Sequence, residues 1–133
     1  MWLPISRDSP VPIFEQIIGR VVVAVAAGDV EPGTLIPSVR DLAQQLVVNP
    51  NTVARAFQEL DRLGILTARH GRGMEVTPEA PELCRERRRQ VIREQLRHAL
   101  HDAVASRLPA KEIRQMIHEE LQQANGEVQG EQP

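Results

Sequence analysis

The sequence predicts a mainly α-helical fold with a small β-hairpin, divided into an N-terminal and a C-terminal part. Two short helical segments separated by a capped break lie between Pro37 and Leu63. A glycine-bearing hairpin follows them, and two longer amphipathic helices come after a proline-rich linker. The 133 residues are 41% hydrophobic, which is enough for one small core and an appendage.

The first expected helix starts near Pro12 and carries a wide apolar stripe. Gly28 is a natural stop after it, at the position where helices favour a left-handed residue. Residues 1–10 are expected to form an extended arm, and residues 30–37 a turn-rich link to the next helix. The stripe, at helical spacing, consists of Ile13, Phe14, Ile17, Ile18, Val21, Val22 and Val25.

The central stretch predicts two helices with a tight break between them. Ser38 begins an S-x-x-D capping signature for the first helix, which is expected to end near Val47 or Val48. Asn49 is the expected N-cap of the second helix, with Pro50 at the first helical position. Two capped helices joined by about three residues form a helix-turn-helix, whose second helix usually reads DNA.

The second of these helices has one apolar and one polar side. Asn51 and Arg55 are expected on the polar side, with Thr52 at its edge, and these side chains are able to reach phosphates and base edges. The predicted buried side consists of Val53, Ala56, Phe57 and Leu60.

The stretch Ile65–Val76 predicts a two-stranded hairpin, the wing of a winged helix. Strands are expected at 65–67 and 74–76, joined by a turn that contains Gly71 and Gly73. The tip carries three potential donors to phosphate or the minor groove. They are Arg69, His70 and Arg72.

The C-terminal part predicts a helical dimerisation segment. Long and short helices are expected at about 82–106 and 110–123, and their stripes are too wide to be buried against each other alone, so a second copy of the chain is the simplest partner. The expected division is a winged-helix domain at 1–77, a dimerisation segment at 78–124 and a disordered tail at 125–133. The residues expected at the dimer interface are Ile92, Leu96, Ala99, Leu100, Ala103, Ile113, Ile117 and Leu121.

Composition restricts the class of protein. The net charge of −2 argues against a strongly basic, non-specific nucleic-acid binder, but not against a sequence-specific one. With a single cysteine, Cys84, no disulfide can form within the chain. The absence of a long apolar stretch and of a signal-peptide pattern predicts a cytoplasmic protein without a membrane span.

The segments PGTLIPSVRDLAQQL, VVNPNTVARAFQELDRLGIL and HGRGMEV resemble the winged-helix domain of GntR-family transcriptional regulators. The resemblance covers Pro12–Val76, and the short two-helix C-terminal segment is similar to the YtrA-type subfamily. It implies a homodimeric bacterial transcription factor, usually a repressor, that binds double-stranded operator DNA. Members of this subfamily are often encoded beside transporter genes, and a small-molecule effector is possible.

The resemblance also implies DNA-contacting positions. Arg40 matches the family's arginine at the start of the first motif helix, and His70-Gly71 matches its wing-tip pair. Ala54 stands where some larger members have an arginine, so the assignment of Arg55 rests on helical geometry instead. The sequence also departs from the family at Met74, where a threonine is common. The full expected DNA-contacting set is Ser38, Arg40, Asn49, Asn51, Thr52, Arg55, Arg69, His70, Gly71 and Arg72.

Other features have two interpretations. The run Arg85–Arg89 is either an anion site or, as favoured, a solvated helix face balanced by glutamates. Cys84 is either a thiol sensor or, as favoured, a structural cysteine. The histidines have no ligand set at a known metal spacing, so no metal or other cofactor is expected, and no enzyme signature is found. The rival function is a protein–protein module in which the winged helix does not bind specific DNA.

Overall fold

In a computed structural model, the structure describes residues 4–69, 71 and 73–131, the last three by their backbone only. The chain divides into two compact units, Met1–Gln90 and Val91–Pro133. Among the described residues, no helix is both long and apolar enough to cross a membrane. The elements are α1 (Ile13–Ala26), β1 (Leu35–Ile36), α2 (Val39–Leu46), α3 (Pro50–Arg62), β2 (Leu66–Arg69), β3 (Gly73–Val76), α4 (Ala80–Ala105) and α5 (Ala110–Glu131).

The core of the first unit forms where α1 packs against α3. The stripe of α1 points inward as predicted, with Ile17 and Val21 fully buried. Gly28 ends the helix region with φ 84°, which confirms its predicted left-handed role. The predicted inner side of α3 is buried in the same cluster, at Val53, Ala56, Phe57 and Leu60.

The two caps predicted for the helix-turn-helix are present. The Ser38 hydroxyl accepts a hydrogen bond from the Asp41 amide at 3.1 Å, and the Asn49 side chain accepts one from the Asn51 amide at 2.8 Å. Val47 ends α2 in the left-handed region, with φ 56° and ψ 52°. A β-branched residue is rare in this conformation, and nothing in the sequence predicted that Val47 would adopt it.

The side chain of Arg7, in the N-terminal arm, binds the backbone at the break between α2 and α3. Its guanidinium donates to the carbonyl oxygens of Leu46 and Val47, at 2.8 and 2.7 Å. These carbonyls lie at the C-terminus of α2, where the helix dipole favours a cation. The preceding arm is fixed in turn, because the Gln16 amide bonds both the N–H and the carbonyl of Ser6. The N-terminal arm is therefore part of the helix-turn-helix architecture.

The wing belongs to a three-stranded antiparallel sheet of order β1-β3-β2. The predicted hairpin is confirmed, with Leu66 opposite Val76. The expectation that residues 30–37 form only a link is incomplete, because Leu35 and Ile36 pair with β3 as a third strand. Two residues are too few to produce a strand pattern in sequence.

The first unit extends past the expected boundary at residue 77. Ala80 and Cys84, in the first turns of α4, are fully buried in the core cluster. The Thr77 hydroxyl also donates to the carbonyl of Gly64 at 2.6 Å, which ties the linker to the end of α3. The proline-rich stretch is thus a connection within the unit, and the compact unit ends at Gln90.

The second unit consists of the rest of α4 and of α5. α4 matches its expected limits, whereas α5 continues to Glu131 instead of giving way to a disordered tail at Asn125. Glutamine and glutamate are good helix formers, and Gln123 donates to Glu127 one turn later at 3.4 Å. Large apolar side chains of this unit are exposed in the single chain, at Val91, Ile92, Leu96, Leu100, Val104, Met116, Ile117, Leu121 and Val128.

The left-handed Val47 predicts a stabilising substitution. Val47→Gly should raise the free energy of unfolding by about 1 kcal/mol, because the strain of about 1–2 kcal/mol disappears while the added chain entropy costs about 0.5–1. Urea denaturation measures the change. The control Gln45→Gly, at an exposed helical position, should instead destabilise by about 1 kcal/mol. Equal destabilisation by both variants would contradict strain at Val47.

Candidate nucleic-acid interface

The start of α3 is exposed and polar. Asn49 and Asn51 are exposed and Thr52 is half-buried, while Val53 behind them is fully buried. The Asn49 oxygen is occupied by the cap, which leaves its amide N–H groups for another partner. A helix N-terminus also favours phosphate through its dipole. This end of α3 therefore combines hydrogen-bonding side chains with a positive potential.

Arg55 lies one turn further along α3 and is exposed, as predicted. Its guanidinium carbon is 3.7 Å from the centre of the Phe14 ring on α1. The sequence places Arg55 on the polar side but gives no sign of this partner. Phe14 was expected in the apolar stripe of α1, and it is half-buried beside the core.

The start of α2 has one exposed cation. Arg40 is exposed, and among the described residues it makes no hydrogen bond or ion pair. Ser38, also exposed, uses its hydroxyl oxygen as the cap of α2. Arg40 is thus the side chain at this helix start that is available to an anion.

The wing differs from the prediction in one respect. Arg69 forms an ion pair with Glu75 on the neighbouring strand, and this bond raises the pKa of the guanidinium. Part of its hydrogen-bonding capacity is therefore used within the wing. Gly71 is exposed with φ 71° at the tip. The predicted contacts His70 and Arg72 lie outside the described residues.

Two of the four arginines in the basic run on α4 are paired with acids. Arg89 contacts Glu82 at 3.0 Å and Glu86 at 3.1 Å, and Arg85 lies 3.6 Å from Glu82. Hydrogen bonding to Arg89 lowers the pKa of the Glu82 carboxyl. This pairing supports the interpretation of a solvated, self-neutralised helix face.

Cys84 is unsuited to thiolate chemistry. Its side chain is fully buried, and burial raises the pKa of the thiol from the ordinary 9.0 to about 11, against a smaller opposing effect of Arg87. The reactive species of a sensor cysteine is the thiolate. The structure therefore favours the structural interpretation. In the described part of the chain, no three histidine, cysteine or acidic side chains are grouped to hold a metal ion.

Sequence reasoning missed two residues around this face, Arg7 and Phe14. Arg7 acts through backbone carbonyls 39 and 40 residues away, and such contacts have no local sequence signal. The sequence placed Phe14 in the apolar stripe of α1, which does not predict a contact with Arg55.

Two capped helices, a supporting helix packed into the core along one side and a hairpin wing within a three-stranded sheet define a winged helix-turn-helix protein. Residues 14–76 match the family described as bacterial regulatory proteins, gntR family. Over 128 residues the chain is 34% identical to the HTH-type transcriptional repressor YtrA of Bacillus subtilis (strain 168), covering 96% of this chain and 95% of that protein. The chain belongs to the GntR family, as its motifs predicted, and it is a DNA-binding transcriptional regulator.

Solved structures agree with this assignment. A transcriptional regulator from Oenococcus oeni superposes with a TM-score of 0.77 over 88% of this chain and 97% of its own, at 23% identity, which shows the shared fold. YtrA from Sulfolobus acidocaldarius, a GntR-family transcription factor, gives a TM-score of 0.57 at 30% identity and covers 79% of this chain and 99% of its own. Family membership favours the DNA-binding regulator over the rival protein–protein module.

The raised pKa of Cys84 predicts a loss of stability at alkaline pH. The folded state holds the thiol in its neutral form. The contribution of this neutral thiol to the free energy of unfolding is complete below pH 9 and disappears as pH rises through about 11. The loss should be about 2 kcal/mol relative to Cys84→Ala, which lacks the group. Urea denaturation of both proteins between pH 8 and 11 measures it. Parallel pH profiles would contradict a buried, neutral thiol.

Proposed function

We propose that this protein is a homodimeric cytoplasmic repressor that binds an inverted-repeat operator through α3, the start of α2 and the wing. The observation that carries the proposal is the division of α3 into two sides. Its apolar side is locked into the core, so its polar side has a fixed direction. Fixed donors at the start of a capped helix are suited to base edges in the major groove.

Each polar residue has a proposed role. Asn51 and Arg55, one turn apart, contact bases or the phosphates beside them, and Arg40 contacts the phosphate backbone. Ser38 and Asn49 cap the two helix starts, and with Thr52 they are proposed to add contacts to the phosphate backbone of the DNA.

The wing contributes through its tip. Arg69, His70, Gly71 and Arg72 are consecutive in the sequence before β3, and their proposed contact is with the neighbouring groove or its phosphates. Because Arg69 is paired with Glu75, its proposed contribution is smaller than that of Arg55.

The C-terminal helices are proposed to form the dimer. Leu96 and Leu121 are 53% and 58% exposed in the single chain, and such side chains gain by burial against a second copy. The proposed interface residues are Ile92, Leu96, Ala99, Leu100, Ala103, Ile113, Ile117 and Leu121. A two-fold dimer presents α3 twice, and this symmetry predicts an inverted repeat.

An effector, if one acts, is proposed to bind where two chains meet or near Arg85–Arg89. The second unit consists of two helices, which cannot enclose a ligand within one chain.

Substitution on the DNA face tests the readout. If Arg55 reads a base, Arg55→Ala should weaken binding by about 1–3 kcal/mol per half-site at one operator position. Arg40→Ala should weaken binding evenly across sequences and reduce the salt slope by about one per contact. Titration of operator variants, selected from a random duplex pool, at two salt concentrations separates these outcomes.

Arg62→Ala is the matched control, since Arg62 lies at the far end of α3 and is already paired with Glu59. It should bind like the parent protein. Unchanged binding by both Arg40→Ala and Arg55→Ala at every salt concentration would remove this face from the DNA interface.

Introducing a charged side chain among the proposed interface residues tests whether the C-terminal helices form the dimer. Leu96→Glu should shift sedimentation from dimer to monomer and weaken operator binding, because the charge becomes buried on association. His98→Glu, on the same helix but away from the stripe, should remain dimeric. A tight dimer formed by Leu96→Glu and Ile117→Glu together would refute the proposed interface.

A further inference from the structure

Phe14 and Arg55 form a stacked pair between α1 and α3. The guanidinium carbon lies 3.7 Å from the ring centre, well within the range of about 6 Å for attraction between a cation and an aromatic face. Phe14 is half-buried and packs against the core, whereas Arg55 is exposed. A ring anchored on one helix therefore supports an exposed side chain on the other.

The stack leaves the hydrogen-bonding edge of Arg55 unused. The five N–H donors of a guanidinium lie in its plane, and the ring contacts its face. Within the described residues, Arg55 makes no hydrogen bond or ion pair, whereas Arg62 and Arg69 are paired with Glu59 and Glu75. Arg55 is thus held in position without losing its donors.

A held arginine binds with a smaller entropic penalty than a free one. Ordering a side chain with many rotamers opposes association, and stacking before binding removes part of that opposition. The planar fork of a guanidinium also gains most when its orientation is fixed, because bidentate contact to guanine or phosphate needs both donors aligned.

We infer that Phe14, on α1, is a positioning residue for operator recognition that acts through Arg55. The inference rests on the proposed function, because it requires that Arg55 contact DNA. Through Phe14, the first turn of α1 would raise the affinity of α3 for operator DNA, although Phe14 itself need not touch the operator.

A double-mutant cycle on the full-length protein tests this inference. The variants are Phe14→Leu, Arg55→Ala and the double variant, with Phe14→Tyr to keep the aromatic face. Operator affinity is measured for each on duplexes selected by the parent protein, and urea denaturation checks that each is folded. Phe14→Leu should lose about 2-fold to 13-fold in operator affinity, the range that corresponds to ordering one side chain with many rotamers on binding.

Two further results are expected. Phe14→Tyr should bind within about 2-fold of the parent, and Phe14→Leu should add no further loss when Arg55 is already alanine. An equal loss from Phe14→Leu in both backgrounds would overturn the inference, because it would indicate a general structural effect. So would unchanged or tighter binding by Phe14→Leu, since the stack would then be neutral or would restrain Arg55 from the DNA.

The two proposals fail in distinguishable ways. If the parent protein selects an operator but Arg55→Ala binds it equally well, positioning through Arg55 is refuted while the repressor assignment stands. If the parent protein selects no sequence from the pool, the proposed function itself fails.

Discussion

The contact between α1 and α3 is the constraint on which the rest of the first unit depends. Ile17 and Val21 of α1 and Val53 and Leu60 of α3 are completely buried in one cluster. Burial of such side chains contributes about 1.5–3 kcal/mol each, so the orientation of α3 is fixed by the largest favourable term available to a small domain. Once one side of α3 is held in the core, its polar side must face outward.

Much of this arrangement follows from local sequence rules. The caps at Ser38 and Asn49, the stop at Gly28 and the buried side of α3 were all predicted, because each depends on residues within one or two helical turns. The hairpin was predicted for the same reason. The resemblance to the GntR family extended the prediction to a complete winged-helix domain, and the relatives confirm that the chain belongs to this family.

Long-range contacts explain what the sequence did not reveal. Arg7 bonds carbonyls at the end of α2, and β1 exists only because β3 lies beside it. The burial of Cys84 depends on how α4 meets the core, so neither its raised pKa nor the later end of the first unit follows from composition. Helical periodicity finds the outer side of α3, but it cannot find the Phe14 ring beneath Arg55.

The charges show how a nearly neutral chain is able to bind a polyanion. At a net charge of −2 it has no general attraction to DNA. Among the described residues, several arginines are neutralised by nearby glutamates, while two at the helix-turn-helix are not. The paired arginines are Arg62, Arg69, Arg85 and Arg89, and the two unpaired ones at the helix-turn-helix are Arg40 and Arg55. Arginines elsewhere in the described residues, such as Arg20 and Arg93, also lack an acidic partner.

The most direct measurement of the central claim is amide hydrogen exchange of the full-length protein with and without its selected operator. Binding through the outward side of α3 predicts added protection at the backbone of residues 49–55 and of the wing, 66–76. The buried amides of α1 should change little, because they already lie in the core. Operator binding that leaves both segments unchanged, or that protects only residues 91–131, would contradict the account.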